Sequence, residues 1–359
     1  MVDIFHEEDG DISFLEGKTI AIIGYGNQGR AQALNLRDSG LEVIIGNLND
    51  KYRRIAMNDD FPVYSIKEAT EISDIIFLLI PDEVMNDVFE REIRAYIQPN
   101  SVLVFASGYN IGFKQLKPPE DLDIILIAPR MIGVGVREKF LKNEGFFSYI
   151  AVKQDPSGQA KQTLLALAKA IGTLKKGAIM ISFKQEAELD LFNEQAFGPA
   201  FGRVLLSSIY TLIEAGYPAE VVLIEMYMSG EMAYTYQKMA DIGLIKQLDF
   251  HSQTSQYGAM SRGIRFRNLP YKQKMNEILE EIQEGEFAKE WKKKITKLKF
   301  KMIKYFATKQ KINKLERQVR KNLKLKLYDI YEENPPTKEE LSELKEISVE
   351  LDEFKRYYE

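Results

Sequence analysis

The sequence predicts an α/β protein in which a Rossmann-type, doubly wound parallel sheet is followed by an all-helical C-terminal domain. Three observations carry this reading. A glycine-rich turn directly follows an apolar run near residue 20. Short, near-continuous apolar runs then alternate with helical stretches to about residue 180, as strands covered on both faces do. From Phe183 those runs give way to long amphipathic stretches that continue through Trp291. The expected domains are 1–182, 183–291 and a charged helical extension over 292–359.

The first strand is Thr19-Ile20-Ala21-Ile22-Ile23, and it feeds Gly24-Tyr25-Gly26-Asn27-Gln28-Gly29. Each glycine suits a dinucleotide turn. Gly24 permits the tight bend, Gly26 lets the backbone approach a pyrophosphate, and Gly29 lets the following helix, Ala31 to Ser39, pack close to the strand. That helix points its N-terminus at the phosphates. Further strands are expected at Glu42–Ile45, Ile75–Ile80, Val102–Phe105, Ile124–Ile127 and Tyr149–Val152. After Glu42–Ile45, the second strand of the chain, Asn47-Leu48-Asn49-Asp50-Lys51-Tyr52-Arg53-Arg54 should meet the adenosine ribose. Its signals conflict: Asp50 suits the 2′-hydroxyl of NAD, whereas Lys51, Arg53 and Arg54 suit the 2′-phosphate of NADP. The cofactor is therefore read as NADP or NAD.

Composition limits the function classes. A chain of 359 residues has room for two domains, and a net charge of −4 gives no general attraction to nucleic acid. With no cysteine there is no disulfide framework, thiolate metal site or cysteine nucleophile. The acidic start, Met1 to Gly17, lacks the pattern of a signal or transit peptide. No apolar run was expected to approach the roughly 20 residues that cross a bilayer. The expectation is a cytoplasmic protein with neither a membrane nor a nucleic acid as partner.

The helical part opens with Glu186-Ala187-Glu188-Leu189-Asp190-Leu191-Phe192-Asn193-Glu194-Gln195. Residues four apart share a helix face, so Glu186, Asp190 and Glu194 form a carboxylate stripe that repels itself unless a cation sits on it. Hard oxygen ligands of this kind suit Mg²⁺; the plainer reading is an exposed acidic face.

The glycine turn together with Leu79-Ile80-Pro81-Asp82-Glu83-Val84, Gly108-Tyr109-Asn110-Ile111, Ala128-Pro129, Asp190-Leu191-Phe192-Asn193-Glu194-Gln195, Glu214-Ala215-Gly216-Tyr217, Ser252-Gln253-Thr254-Ser255-Gln256-Tyr257-Gly258 and Gly285-Glu286-Phe287-Ala288-Lys289-Glu290-Trp291 resembles ketol-acid reductoisomerase. The resemblance covers roughly residues 14 to 291. It implies Mg²⁺-assisted alkyl migration in a 2-hydroxy-3-oxo acid, then reduction by NADPH or NADH to a dihydroxy acid. It also implies one or two Mg²⁺ ions and a homodimer or larger assembly. By resemblance Asp190 bridges the metals, Glu194 ligates one, and Ser252 contacts the substrate, with Glu231 counted on both the metal and substrate sides. Pro81, Asp82, Ser107 and Gly108 join the glycine turn, Asn47, Asp50, Lys51 and Arg53 as cofactor contacts.

Departures from the family pattern set the alternatives. Ser107 stands where the family has a histidine, and Arg130 where it has a lysine; both are counted with Asp190 and Glu194 as catalytic positions. Serine does not titrate near neutral pH, and arginine stays charged. The following turn becomes Met131-Ile132-Gly133-Val134-Gly135. Two glutamates four apart are implied for the second metal site, but Glu225 and Glu231 lie six apart, about 240° around an ideal helix. One count leaves Ser229 in place of the second glutamate, and the other leaves Tyr227 in place of the first. A two-residue insertion or a π-bulge near Gly230 would bring Glu225 and Glu231 together. The alternatives are a paralogue that reduces a different 2-oxo acid or imine without migration, and a non-catalytic dinucleotide-binding protein.

The end of the chain is unusual. From Lys292 to Lys326 there are fifteen Lys or Arg and one acid, Glu316. Asn334-Pro335-Pro336 marks a break, and Thr337-Lys338-Glu339-Glu340 reads as a capping box opening an acidic helix toward Tyr358. The basic and acidic segments are expected to pack in the chain or at a subunit contact. Nucleic acid or an anionic membrane is the alternative for the basic one.

Overall fold

The computed structural model describes residues 2–327, 337, 340 and 348–358. The chain divides into two compact units, Met1–Leu191 and Phe192–Glu359.

The first unit contains β1 (Ile4–Phe5), β2 (Thr19–Ile23), α1 (Asn27–Asp38), β3 (Glu42–Gly46), α2 (Lys51–Asn58), β4 (Val63–Tyr64), α3 (Ile66–Glu71), β5 (Ile75–Leu78) and α4 (Asp82–Val88). It continues with β6 (Val102–Phe105), α5 (Tyr109–Gly112), β7 (Asp123–Pro129), α6 (Gly133–Leu141), β8 (Phe147–Gln154), α7 (Ala160–Ile171), β9 (Gly177–Met180) and the start of α8 (Phe183–Phe192). The nine strands form one sheet in the order β1-β9-β8-β7-β6-β5-β2-β3-β4. Its centre is parallel, as expected, with β2 flanked by β3 and β5. The sheet as a whole is mixed, because β8 pairs antiparallel with β7 and β1 antiparallel with β9.

Both faces are covered, and this explains the near-continuous apolar strands. Ile20 and Ile22 of β2 join the core under α1, α6 and α7, while Ala21 and Ile23 join the opposite core under α3 and α4. Successive side chains point to opposite faces, so a strand buried on both sides has no polar positions to alternate. The sequence reading missed β1, β4 and β9. Two of these are two residues long, and the third starts at a glycine, too little pattern to read.

The second unit is helical. After a π turn at Asn193–Phe197 come α9 (Gly198–Glu214), α10 (Ala219–Leu223), a second π turn at Ile224–Met228, α11 (Glu231–Ile242), α12 (Gln253–Gly263), α13 (Tyr271–Gln283), α14 (Glu286–Trp291), α15 (Lys294–Thr308), α16 (Lys311–Asn322) and α17 (Ser348–Tyr358). Ile312 and Val319 of α16 pack with Ile209, Val222 and Leu223. The basic and acidic segments pair within the chain: Lys299 bridges Glu290 and Glu350, each at 2.7 Å, and Lys301 bridges Glu340 at 2.7 Å. Thr337 and Glu340 cap each other reciprocally, whereas Asn334-Pro335-Pro336 lies outside the described residues.

One expectation is corrected. The helical run Phe183–Glu214 holds an 18-residue window of mean hydropathy 1.3 that is only 11% buried, so by length and composition it is able to cross a membrane. Glu194, Pro199 and Arg203 interrupt the apolar positions and hid the run from an uninterrupted-stretch criterion.

Packing at the glycine turn generates a stability prediction. A Cβ on Gly29 would stand 1.9 Å from the Gly24 carbonyl oxygen, whereas one on Gly26 meets nothing within 4 Å. Gly29→Ala should lower the unfolding free energy of the first unit by roughly 3 kcal/mol, the upper range for overpacking, and Gly26→Ala by under about 0.5 kcal/mol. Urea unfolding of the two variants checks the contrast.

Candidate active site

The turn after β2 is shaped for a phosphate group. Gly24 has φ +96°, and a Cβ there would meet Ile80 Cγ2 at 2.6 Å. Gly26 caps α1 without a side chain, so the first N–H groups of the helix face an open approach. Gly133 holds α6 against the same turn, its missing Cβ leaving room for the Asn27 carbonyl. Gln28 Nε2 donates to the Met131 carbonyl at 2.8 Å, so the altered 131–135 segment braces the turn. A cleft of about 200 Å³ beside it is lined by Tyr25, Gly26, Asn27, Arg30, Tyr52 and Val134. These residues fit a dinucleotide.

Not every residue expected at the cofactor is free to touch it through its side chain. Tyr25 is 1% exposed, and its hydroxyl donates to Asp59 at 2.9 Å. Its backbone N–H donates to Asn47 Oδ1 at 3.0 Å, which fixes the turn to the end of β3. Asp50 is the N-cap of α2, its Oδ1 accepting from Tyr52 N, Arg53 N and Asn47 Nδ2 at 2.8, 3.1 and 2.9 Å. Arg53 is spent on backbone: it donates to the carbonyls of Asn47, Val63 and Tyr64. Lys51 lies over the Tyr52 ring at 4.9 Å. Pro81 is the N-cap of α4, and Asp82 accepts from Asn110 Nδ2 at 2.7 Å, tying that helix start to α5.

At the C-terminal ends of β6 and β7 a charged network gathers four of the expected positions. Arg130 follows β7, and its Nη2 donates to Asp190 Oδ1 at 2.6 Å. Its Nη1 donates to Glu186 Oε1 at 3.0 Å. Gly108 N donates to Glu186 Oε2 at 2.5 Å, and Ser107 Oγ accepts from Tyr109 N at 3.2 Å. The guanidinium also lies 5.0 Å from the centre of the Tyr149 ring. Here is the cation that the carboxylate stripe required.

Glu186 is the site residue that sequence reasoning left off its list, although its four-residue spacing from Asp190 marked it. It is 1% exposed. Burial pushes its carboxyl up to about 7; the Gly108 N–H and Arg130 oppose that push, and Asp190 adds to it. Burial acts against the charge of Arg130 as well, but Asp190 and Glu186 outweigh it and hold the guanidinium protonated.

The remaining metal candidates stand apart in the chain. Asp190 closes the first unit, while Glu194 is exposed in the π turn Asn193–Phe197 that opens the second. Glu225 is exposed in the π turn Ile224–Met228, and Gly230, at φ +82°, ends that segment before Glu231 starts α11. The ideal-helix angle between Glu225 and Glu231 therefore does not apply. Tyr227, the other candidate for the first glutamate position, gives its hydroxyl to Glu316 of α16. Ser252 is the exposed N-cap of α12, its Oγ accepting from Ser255 N at 3.2 Å. Among the described residues no three His, Asp or Glu side chains gather as a metal site. The carboxylates are hard oxygen donors of the kind Mg²⁺ takes.

A dinucleotide turn on a parallel sheet, with a carboxylate network at the strand ends and a helical second unit, defines a nicotinamide-dependent oxidoreductase class. Comparison with known proteins narrows it. Residues 14–177 match the acetohydroxy acid isomeroreductase NADPH-binding domain, and residues 183–325 match the ketol-acid reductoisomerase C-terminal domain. The chain belongs to the ketol-acid reductoisomerase family, and the match extends beyond Trp291 into the basic segment. It is 41% identical over 287 residues to a putative ketol-acid reductoisomerase 3 of Saccharolobus solfataricus, covering 79% of this chain and 86% of that protein. It is 41% identical over 293 residues to a ketol-acid reductoisomerase (NADP(+)) of Petrotoga mobilis, covering 81% and 88%. An NADH-preferring ketol-acid reductoisomerase from an uncultured archaeon superposes with a TM-score of 0.83 at 34% identity, covering 91% of this chain and all of that one.

The raised Glu186 carboxyl has a signed consequence. A carboxyl with its folded pKa above the ordinary value takes up a proton more readily folded than unfolded. Its stabilising contribution is full below the ordinary carboxylate range and is lost as pH rises through about 7. The urea midpoint should fall between pH 4.5 and 7.5, and Glu186→Gln should flatten that fall.

Proposed function

We propose that the chain works as an NAD(P)H-dependent ketol-acid reductoisomerase, with the Arg130–Glu186–Asp190 network beside the Ser107-Gly108 loop as the observation that carries the chemistry. The substrate is a 2-hydroxy-3-oxo acid of the acetolactate type, and the product is a dihydroxy acid. When bound, Mg²⁺ held by Asp190 and Glu194, with Glu225 and Glu231 as further ligands, supplies Lewis acidity toward the substrate oxygens, and NAD(P)H supplies the hydride.

The chain's own residues divide the work. Gly24, Gly26 and Gly29 admit the pyrophosphate to the start of α1. Gly108 and Arg130 together fix Glu186, and Arg130 fixes Asp190. Ser107 accepts from the Tyr109 N–H, so its own proton stays available for donation. Ser252 and Glu231 belong to the substrate side of this reading. The 47–54 loop supports NADH as the better cofactor. Arg53 is committed to three carbonyls, and the Asp50 carboxylate already holds the N-terminus of α2, where it repels a 2′-phosphate.

A homodimer in the cytoplasm completes the proposal. The second unit leaves Phe197 of the π turn and Phe201 and Val204 of α9 exposed, with Tyr234 on α11 and Tyr257 and Met260 on α12, and exposed apolar clusters of this kind mark contact surfaces. We assign the apolar face of α9 to a contact with a second copy of the chain.

Paired assays test the reaction. With Mg²⁺ and NADH, both acetolactate and the already isomerised 3-hydroxy-3-methyl-2-oxobutyrate should oxidise the cofactor. Turnover of the isomerised compound alone would show that migration is lost in a chain carrying Ser107 and Arg130. The loop is tested by direct binding: Asp50→Asn keeps the helix cap, removes the negative charge, and should move the NADPH to NADH dissociation-constant ratio by about tenfold toward NADPH. An unchanged ratio would remove Asp50 as the discriminating group.

A further inference from the structure

We propose that Arg130 is the resident cation of the carboxylate stripe, a positioning residue that a divalent cation must displace from Asp190 before binding there. The inference rests on the reading that Asp190 is a metal ligand, and it goes beyond that reading by assigning the ligand a protein competitor.

The guanidinium is held on several sides. One arm donates to Glu186 and the other to Asp190, at 3.0 and 2.6 Å. The plane lies near Tyr149, and the backbone N–H of Arg130 is fixed by the Phe147 carbonyl at 2.8 Å. A planar fork bridges two carboxylates in a way that the point charge of a lysine does not. Arginine also cannot shed its proton to make way for another cation.

These facts set up a competition. Asp190 offers its Oδ1 to the guanidinium at 2.6 Å, so a cation approaching that oxygen meets a permanent positive charge at contact distance. Ligation through Oδ1, which a bridging role for Asp190 between two ions needs alongside Oδ2, therefore requires the Nη2 arm to leave. Glu186 is buried and also bonded by Gly108, so it can retain the Nη1 arm while Asp190 is released. The switch is between two partners of one carboxylate, and it sets the concentration at which metal loads.

The test is Mn²⁺ binding to the full-length protein, followed by loss of the free-ion electron paramagnetic resonance signal. Arg130→Gln should bind Mn²⁺ about tenfold more tightly than the unaltered chain, the change given by loss of one favourable pairing of ordinary strength. Arg130→Lys, which keeps the charge but not the fork, should gain less. Adding Asp190→Asn to Arg130→Gln should abolish the gain. Circular dichroism confirms that each variant is folded, and if Arg130→Gln fails to fold, Arg130→Lys carries the test with the same sign. Equal or weaker affinity in the folded Arg130 variants, with Asp190→Asn still lowering binding, overturns the competition while leaving Asp190 a ligand. A gain that survives Asp190→Asn overturns it too, because the competition is then elsewhere. Absence of Mn²⁺ binding in every form defeats both the ligand reading and the competition.

Discussion

A carboxylate buried to 1% exposure organises the loops at the C-terminal strand ends of the first unit. Removing such a group from water costs several kcal/mol unless hydrogen bonds and an opposite charge replace the lost solvation. Glu186 obtains both, from the Gly108 N–H and from Arg130. Each partner comes from a different strand end, since Gly108 follows β6 and Arg130 follows β7, while Glu186 itself lies on α8. Satisfying one buried group therefore sets where the 107–108 loop, the end of β7 and the first turns of α8 stand. Gly108 has no alternative side chain here, because a Cβ would lie 2.1 Å from the Phe183 carbonyl and 2.9 Å from Glu186 itself.

Much of this was legible in the sequence, for identifiable reasons. The strand, glycine turn and helix from Thr19 to Asp38 were readable because each glycine answers a steric demand, and the three missing Cβ positions now show two closed contacts and one open approach. The carboxylate stripe was readable from four-residue spacing, as was its need for a cation. Which cation satisfies it was not, because Arg130 is 60 residues from Asp190 in the chain and only the sheet brings them together. The same holds for Arg53, which reads as a phosphate ligand by position but spends its donors on the carbonyls of Asn47, just after β3, and of Val63 and Tyr64 in β4. Propensity carries no record of a π turn, so the segments at Asn193–Phe197 and Ile224–Met228 were beyond periodicity, although the mismatch between Glu225 and Glu231 pointed to a distortion in that stretch.

The helical unit shows how charge and apolar surface are handled separately. The basic segment reads alone as a surface for anions, yet its lysines meet acids of the same chain, with Lys299 and Lys301 bonded to Glu290, Glu350 and Glu340. Its single acid, Glu316, faces Tyr227 and raises the tyrosine's pKa together with burial. On α9 the apolar side chains divide: Ile209 packs with residues of α10 and α16, while Phe201 and Val204 stay exposed.

At Asp190 the central question is whether Arg130 and a metal exchange places. Crystals grown with Mn²⁺ and read by anomalous scattering test this directly. Exchange gives an anomalous peak at Asp190 with the Nη2 arm of Arg130 withdrawn and the Nη1 arm still on Glu186. A peak at Asp190 with both arms still bonded to their carboxylates would contradict it.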